Sequence, residues 1–419
     1  MSIKGLEILE QSALTPQAKQ EKAVTIIISH NGKTFMPAVQ EGVTWDLARQ
    51  GTPGKLTFKM LRDDILGFKE GNMVQMSYGD DNLFRGFIFS HKEDKNGVIQ
   101  VTAYDQLRYL KNKDITVVVE KTAAEVIRAI CDDYGLIHKK KSRDKSGKEV
   151  ETEAICDTGY TIHKMRASNQ TLFDTIQLAL DHTILYTGDK SGNAAYKYGK
   201  MYILYDDFGV ITLAEVGGLD VPILIDAETA QNFNFESSID KDTFNAVTLY
   251  KDDKNTGKHI EYSRQSDANI KRWGILRKTE SINERDTTNP YDKAQTMLEV
   301  YNSAKKTLSI KGAFGDTRVR AGSRIWVKLN IKDPDVKLQR EENGVEYNIA
   351  PSGINPEDGT PIYNLPPDTD DGDSPDFSDS SVVRTYAVQM MVEQVKHKWD
   401  SGNSSYTMDL TLVGRGITK

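Results

Sequence analysis

Alternating apolar and polar positions recur along most of the chain, and this period-two pattern predicts strands before anything else. Val24 to Ser29, the turn His30-Asn31-Gly32-Lys33 and Thr34 to Val39 predict a hairpin closed by Asn-Gly. Val43 to Arg49 and Lys55 to Met60 predict two further strands on either side of the turn Gln50-Gly51-Thr52-Pro53-Gly54. The stretch Glu70 to Asp105 then sets out four features in order. A turn at Gly71 leads into an alternating strand carrying Met73, Val74 and Met76; a second strand ends in His91-Lys92; and Val98 to Ala103 closes the unit. The same order returns between Ala321 and Gly414: Gly322, then Ile325, Trp326, Val327 and Leu329, then a strand ending in His397-Lys398, then Tyr406 to Leu412. Alternation across polar turns is the mark of antiparallel hairpins with one buried face, and two such units in one chain predict a duplicated β-domain. The first would hold about seven strands up to Asp105, enough for a small barrel or sandwich.

The period changes at Thr122. Thr122-Ala123-Ala124-Glu125 has the form of a capping box, Val126, Ile127, Ile130 and Tyr134 follow at helical spacing, and Gly135 is a stop. His138 to Glu153 reads as an exposed, Lys-rich loop. Asn169 is expected to cap a second helix with Leu172, Phe173, Ile176, Leu180 and Ile184 on one face, and Lys200 to Tyr205 and Val210 to Leu213 are expected as strands. Beyond Asn232 the pattern returns to β, with strands expected at Phe233 and Phe235, Asn245 to Tyr250, His259 to Ser263 and Ile275 to Glu280, and a helix over Pro290 to Ser309. The expected layout is an N-terminal arm (1–22), a first β-domain (23–119), a small α+β domain (120–228), a second β-domain (229–332 and 384–419) and an insertion (333–383). The chain is thus mainly β, α+β overall.

The insertion stands out by charge. It carries thirteen acids, two bases and seven of the twelve prolines, a balance of −11 within a total of −7. The remainder is near neutral at +4, without a basic stripe, which argues against dedicated nucleic-acid binding. Such a composition buries too little surface to offset its ordering entropy, so 333–383 is expected as a long projecting loop, mobile at least in its acidic half. No stretch approaches the ~20 apolar residues of a membrane span. The opening MSIKGLEILEQSALT lacks a basic segment followed by an apolar one, so no secretory signal is expected. Cys131 and Cys156 are the only cysteines and are expected as free thiols of a chain made in a reducing cytoplasm.

Candidate chemistry is sparse. Cys156 and His163 lie seven residues apart with no fixed third partner, and a nucleophile pair needs contact that spacing cannot supply. No Cys or His pairs have zinc spacing. Asp368, Asp370, Asp371 and Asp373 fail the calcium-loop register. No Gly-rich phosphate loop occurs, and no carboxylate pair is marked out for glycoside hydrolysis. His91 and His397 match between the repeats and read as structural residues beside turns. No catalytic, cofactor-binding or metal residue is therefore assigned, no cofactor is expected, and no enzymatic activity is expected.

The stretches VTWDLARQGTPGKLTFKML and FKEGNMVQMSYGDDNLFRGFIFS resemble the XkdQ/YqbQ family of phage-like tail proteins, as do TAAEVIRAICDDYGL, SNQTLFDTIQLALDHT, YILYDDFGVITL and the final YAVQMMVEQVKHKW and YTMDLTLVG. The acidic insertion departs from that pattern. The resemblance implies two tail-tube-like β-barrel domains with a small α+β domain inserted, in a structural baseplate hub of a contractile phage tail or phage-tail-like bacteriocin. It implies a homotrimeric adaptor joining the sixfold tail tube to the threefold central spike. Tube, spike and baseplate wedge proteins would be its partners, with the tape measure protein as a further candidate. The location implied is the virion or tail-like particle, after assembly in the bacterial cytoplasm. Two other readings compete: a tail-associated cell-wall hydrolase, which needs a compact catalytic domain, and a glycan-binding tail-tip module, which needs exposed aromatic platforms. Trp45, Trp273, Trp326 and Trp399 fall mostly on expected strands and point instead to cores or interfaces.

Overall fold

A computed structural model describes residues 22–62, 69–144, 147–186, 201–226, 228–240, 242–252, 258–282, 290–329, 339–342, 345–348, 353–354, 361–362, 386–400 and 405–414. The first β unit comprises β1 (Val24–His30), β2 (Lys33–Phe35), β3 (Val43–Ala48), β4 (Lys55–Leu61), β5 (Met73–Tyr78), β6 (Asp81–Glu93) and β7 (Val98–Tyr104). Period two turns one side of each strand inward: Ile26 and Ile28, Leu56, Phe58 and Met60, Val74 and Met76, and Val101 and Ala103 are buried in one core. The expected Asn-Gly hairpin is present. Asn31 and Gly32 have φ of 48° and 74°, the left-handed pair that a two-residue turn between twisted strands requires.

A 3-10 turn (Gln106–Lys111) leads to β8 (Lys113–Thr122), α1 (Ala123–Asp133), β9 (Lys139–Arg143), β10 (Glu149–Glu153), β11 (Thr161–Thr171), α2 (Leu172–Tyr186), β12 (Tyr202–Asp206) and β13 (Ile211–Glu215). The expected capping box on α1 is in place, with Glu125 N–H donating to Thr122 Oγ1 at 3.2 Å and Thr122 N–H to Glu125 Oε2 at 2.7 Å. Two expectations fail here. Asn169 does not cap α2; it takes a left-handed φ of 56° where the β8–β11 ladder shifts register. The cap is Thr171, whose Oγ1 accepts from Asp174 N–H at 3.1 Å while its own N–H reaches Asp174 Oδ2 at 3.1 Å. Nor is 138–153 a loop: β9 and β10 pair as an exposed hairpin. His138 at its base is buried between Asp132 Oδ1 and Glu153 Oε1, each at 3.0 Å. Burial opposes its charge, but the bonds to Glu153 and Asp132 outweigh burial and raise its pKa.

The second β unit follows: β14 (Leu224–Asp226), β15 (Asn232–Ser238), then β16 (Ala246–Asp252), β17 (His259–Gln265), α3 (Asp267–Trp273), β18 (Arg277–Ser281), α4 (Pro290–Tyr301), then β19 (Lys305–Phe314) and β20 (Arg324–Leu329). The expected helix to Ser309 stops at Tyr301, because Thr307 to Ile310 alternate and pair as a strand: Leu308 and Ile310 face the core of the second unit. Within the stretch expected to be all second unit, β17, β16 and β18 form a separate sheet. α4 covers it through Ala294, Met297 and Leu298 against Val247 and Leu249. Inside 333–383 the described residues form two short ladders, β21 (Gln339–Glu342) with β22 (Val345–Asn348) and β23 (Gly353–Ile354) with β24 (Pro361–Ile362). The acidic half expected to be mobile, like the N-terminal arm up to residue 21, lies outside the described residues. The chain closes with β25 (Tyr386–Asp400) and β26 (Ser405–Gly414).

The two units repeat one strand order: β3-β4-β7-β6-β5 in the first and β15-β19-β26-β25-β20 in the second. The match extends to single bonds. Gly71 N–H donates to Ile88 O at 2.8 Å and Ile88 N–H to Asn72 O at 2.9 Å; Gly322 N–H donates to Val392 O at 2.7 Å and Val392 N–H to Ser323 O at 2.8 Å. Both central strands then shift register at once, between Ile88 and Ser90 and between Val392 and Gln394. The strands beyond these five differ: β1, which carries β2 on its far side, runs antiparallel to β5, whereas β14 runs parallel to β20. Among the described residues these pairings form one open path; neither unit closes into a barrel.

Candidate functional site: the seam between the two β units

β25 joins the units. Its first half, Tyr386 to Met391, pairs with β20, and on the same edge Gln394 to Trp399 pair with β3 of the first unit. On the inner side of this seam Trp45 and Trp399 are 2% and 5% exposed and His397 is fully buried. The His397 ring stacks on Trp45 at 5.1 Å and on Trp399 at 5.8 Å between centroids, and Trp399 stacks on Tyr406 at 4.7 Å. His397 Nε2–H donates to Val319 O at 3.0 Å, which leaves Nδ1 to accept from the Tyr406 hydroxyl at 2.7 Å. Burial, with the Arg320 charge nearby, lowers the imidazole pKa to about 3, so the ring is neutral. Burial also pushes the Tyr406 phenol up. The outer side of the seam is charged: Asp46 pairs with Lys55 at 3.1 Å and Lys396 at 3.5 Å, and Arg49 with Glu393 at 2.6 Å.

Next to the seam, the middle segment is tied in. The Arg320 guanidinium lies 5.5 Å from the Trp45 ring and 5.3 Å from the Tyr205 ring, and Nη1–H donates to Asp206 O at 2.9 Å. Buried Asp105 accepts from Gly54 N–H at 2.8 Å and Leu107 N–H at 3.1 Å. Buried Asp206 accepts from Gly209 N–H at 2.5 Å and Gln106 N–H at 3.4 Å. The Gln106 amide donates to Gly209 O and accepts from Ile137 N–H at 2.9 Å. Burial holds Asp105 well above the usual carboxylate range, with the Asp206 charge adding to it, and burial raises Asp206 to about 6. These groups are spent on backbone donors and aromatic faces. Their arrangement can hold three segments in fixed relation; it presents no accessible nucleophile or proton-transfer group.

The residues weighed from the sequence are dispersed. Cys156 is half-buried and its thiol is pushed up by burial; Cys131 is buried and pushed up to about 12. Neither is an activated thiolate. His163 bonds to Glu120 at 3.1 Å, and no hydrogen bond joins it to Cys156. Among the described residues no three potential ligands gather as a metal site, and Asp368 to Asp373 lie outside them. The shared His-Lys pairs are not equivalent. With Ile88 matched to Val392, His91 corresponds to Val395 and His397 to Glu93, because the second hairpin is longer. His91 is an exposed partner of Glu70 at 3.0 Å, whereas His397 is buried in the seam. Trp326 sits on β20, while Trp273 ends α3. The sequence does not mark the seam partners Trp45, Arg320 and Tyr406 as a group, since strand alternation shows which face is buried but not which distant strand lies beside it.

The profile of the YQBQ-like family matches residues 43–339. The phage-like element PBSX protein XkdQ of Bacillus subtilis is 26% identical over 264 residues, 62% of this chain and 72% of that protein. YqbQ, an uncharacterized protein of the same organism, is 25% identical over 314 residues, 73% of this chain and 86% of that protein. Among solved structures, a tail protein from Neisseria meningitidis superposes with a TM-score of 0.56 at 10% identity, covering 94% of this chain and 98% of that one. The 43 kDa tail protein of a Shewanella oneidensis prophage gives 0.54 at 11% identity, covering 93% and 98%. These two likenesses establish a shared, mainly β tail-protein fold.

Proposed function

This chain belongs to the YQBQ-like family, and from that premise we propose that it is a structural component of a phage tail baseplate, acting as its hub. In this reading it is a homotrimeric adaptor between the sixfold tail tube above and the threefold spike below, with baseplate wedge proteins around it, in the virion or a phage-tail-like particle. The observation that carries the proposal is the repeated strand order, with the two copies joined edge to edge by β25 and β3. A chain holding two matched β units supplies six such units from three copies while keeping three identical faces. Edge pairing within and between chains removes exposed strand edges. On this reading 23–119, and 229–332 with 384–419 apart from the separate sheet of β16, β17 and β18 and its helix α4, are two tail-tube-like domains that complete barrel walls on assembly. Residues 120–228 are the inserted α+β domain. Nothing in such an adaptor needs catalysis, and the imidazole at the centre of the seam, His397, is buried with both ring nitrogens bonded. The test is to locate the chain in purified particles with a tag-specific label at the C-terminus. Label confined to the baseplate end supports the proposal; label along the tube, or none in the particle, contradicts it.

A further inference from the structure

The intrachain seam has a counterpart whose two halves are both left open. Matching the units through their ladders, Leu56, which pairs with Trp45 and Ala103, corresponds to Leu308, which pairs with Phe235 and Leu412. β15 is therefore the second unit's equivalent of β3, with Phe235 in the place of Trp45 and Glu236 in the place of Asp46. Likewise Ser90 to Glu93 of β6 are the equivalents of Gln394 to His397 of β25. β3 is covered by β25, and its residues are buried or half-buried. β15 ends the sheet, has no strand on its outer edge among the described residues, and is mostly exposed, Phe233 included. β5 leaves β6 after Phe87, as β20 leaves β25 after Met391, and the exposed edge from Ser90 to Glu93 has no partner strand there among the described residues.

We propose that β6 of one copy pairs antiparallel with β15 of a second copy of this chain, repeating between chains the register that β25 and β3 show within one. Lys92 then stands opposite Glu236, Ser90 opposite Ser238, His91 opposite Ser237 and Glu93 opposite Phe235. The charges fit. Lys92 and Glu236 occupy the places of Lys396 and Asp46, which pair at 3.5 Å, and neither has an ion-pair partner among the described residues. In the places of the Arg49–Glu393 pair stand the uncharged Ile239 and Phe89, so no like charges oppose the pairing there. Each unit thus offers one β3-like edge and one β25-like edge, and such contacts are head-to-tail rather than isologous, the kind that closes into a ring when the rotation per copy returns to the start. The inference rests on the hub reading, which supplies the number of copies, while the register comes from the chain's own internal seam.

Cysteine cross-linking in assembled particles tests it. Lys92→Cys with Glu236→Cys, joined by a short thiol-specific cross-linker, should give covalent species of two and three chains. Either single variant, and Lys92→Cys with Asn234→Cys, two residues out of register, should give several-fold less. Copy number is read from the same particles. Three copies without the Lys92–Glu236 cross-link, with the out-of-register pair favoured, or with only an intrachain link, overturn the pairing and leave the hub reading standing. A copy number other than three, with the cross-link formed, overturns the hub stoichiometry and leaves the pairing standing.

Discussion

The imidazole of His397 stacks on the indole of Trp45, ring centroids 5.1 Å apart, across the line where two matched β units of one chain meet. That contact places a titratable group inside an aromatic layer, and it makes the stability of the joint sensitive to acid. The folded-state pKa of about 3 lies below the ordinary 6.5. A depressed imidazole pKa contributes its full stability above the unfolded value and loses it as pH falls through 6.5 toward 3. His397→Phe should remove that part of the acid sensitivity while lowering stability at pH 8 by ~1–3 kcal/mol, since the Tyr406 hydroxyl and Val319 carbonyl lose their partner. Denaturant midpoints measured from pH 8 down to 4 check this; an acid-side slope unchanged in the variant contradicts it.

Asp206 acts in the opposite sense. Its pKa is raised by burial from 3.8 to about 6, so its contribution is complete below 3.8 and is lost as pH rises through about 6. Asp206→Asn keeps an acceptor for Gly209 N–H and removes the ionisation. The variant should lose less stability than the parent between pH 4 and pH 7, by thermal midpoint at each pH. An equal loss in both would show that Asp206 is not the group responsible.

Trp399 is supplied by β25, a strand of the second unit, but packs in the core of the first. Trp399→Ala should cost ~3–5 kcal/mol, the usual range for truncating a buried aromatic. Hydrogen exchange should rise first in β3 and β4, more than three hundred residues away in sequence. Faster exchange confined to β25 and β26 would mean that the units do not share this strand energetically.

Cys156→Ala and His163→Ala should leave particle assembly and particle function unchanged, because the thiol is held protonated by burial and His163 bonds to Glu120 instead. The purified chain should release no soluble fragments from peptidoglycan in a turbidity assay. Clearing by the parent chain, abolished by either variant, contradicts the structural reading.

Much of this was legible in the sequence, in a specific way. Strand alternation located β1, β3, β4, β5 and β7, Asn31-Gly32 the turn between β1 and β2, and Thr122-Glu125 the cap of α1, because those signals are local. The repeat was visible through Gly71 and Gly322, whose left-handed φ of 82° and 96° set matching entries to the central strands. The His-Lys pairs misled because a two-residue slip keeps the same face of a strand and so preserves the pattern. β8 went unread because Ile115, Val117 and Val119 point outward, at 66%, 60% and 55% exposure, while Val118 points to the core, so its apolar run lacks alternation. The separate sheet of β16, β17 and β18 was absorbed into its neighbour because alternation carries no label for the sheet a strand joins. The seam was invisible for the same reason: the pairing of His397 with Trp45 is a long-range choice of partner strand.

On the proposed function, two matched units per chain and three chains per particle make one ring between tube and spike. A reconstruction of the tail tip, refined without imposed symmetry, tests it most directly. Three copies are expected, whose six β units alternate, first and second, around one axis, with β25 beside β3 inside each copy. Six copies, one copy, or three copies whose second units lie off the ring would contradict it.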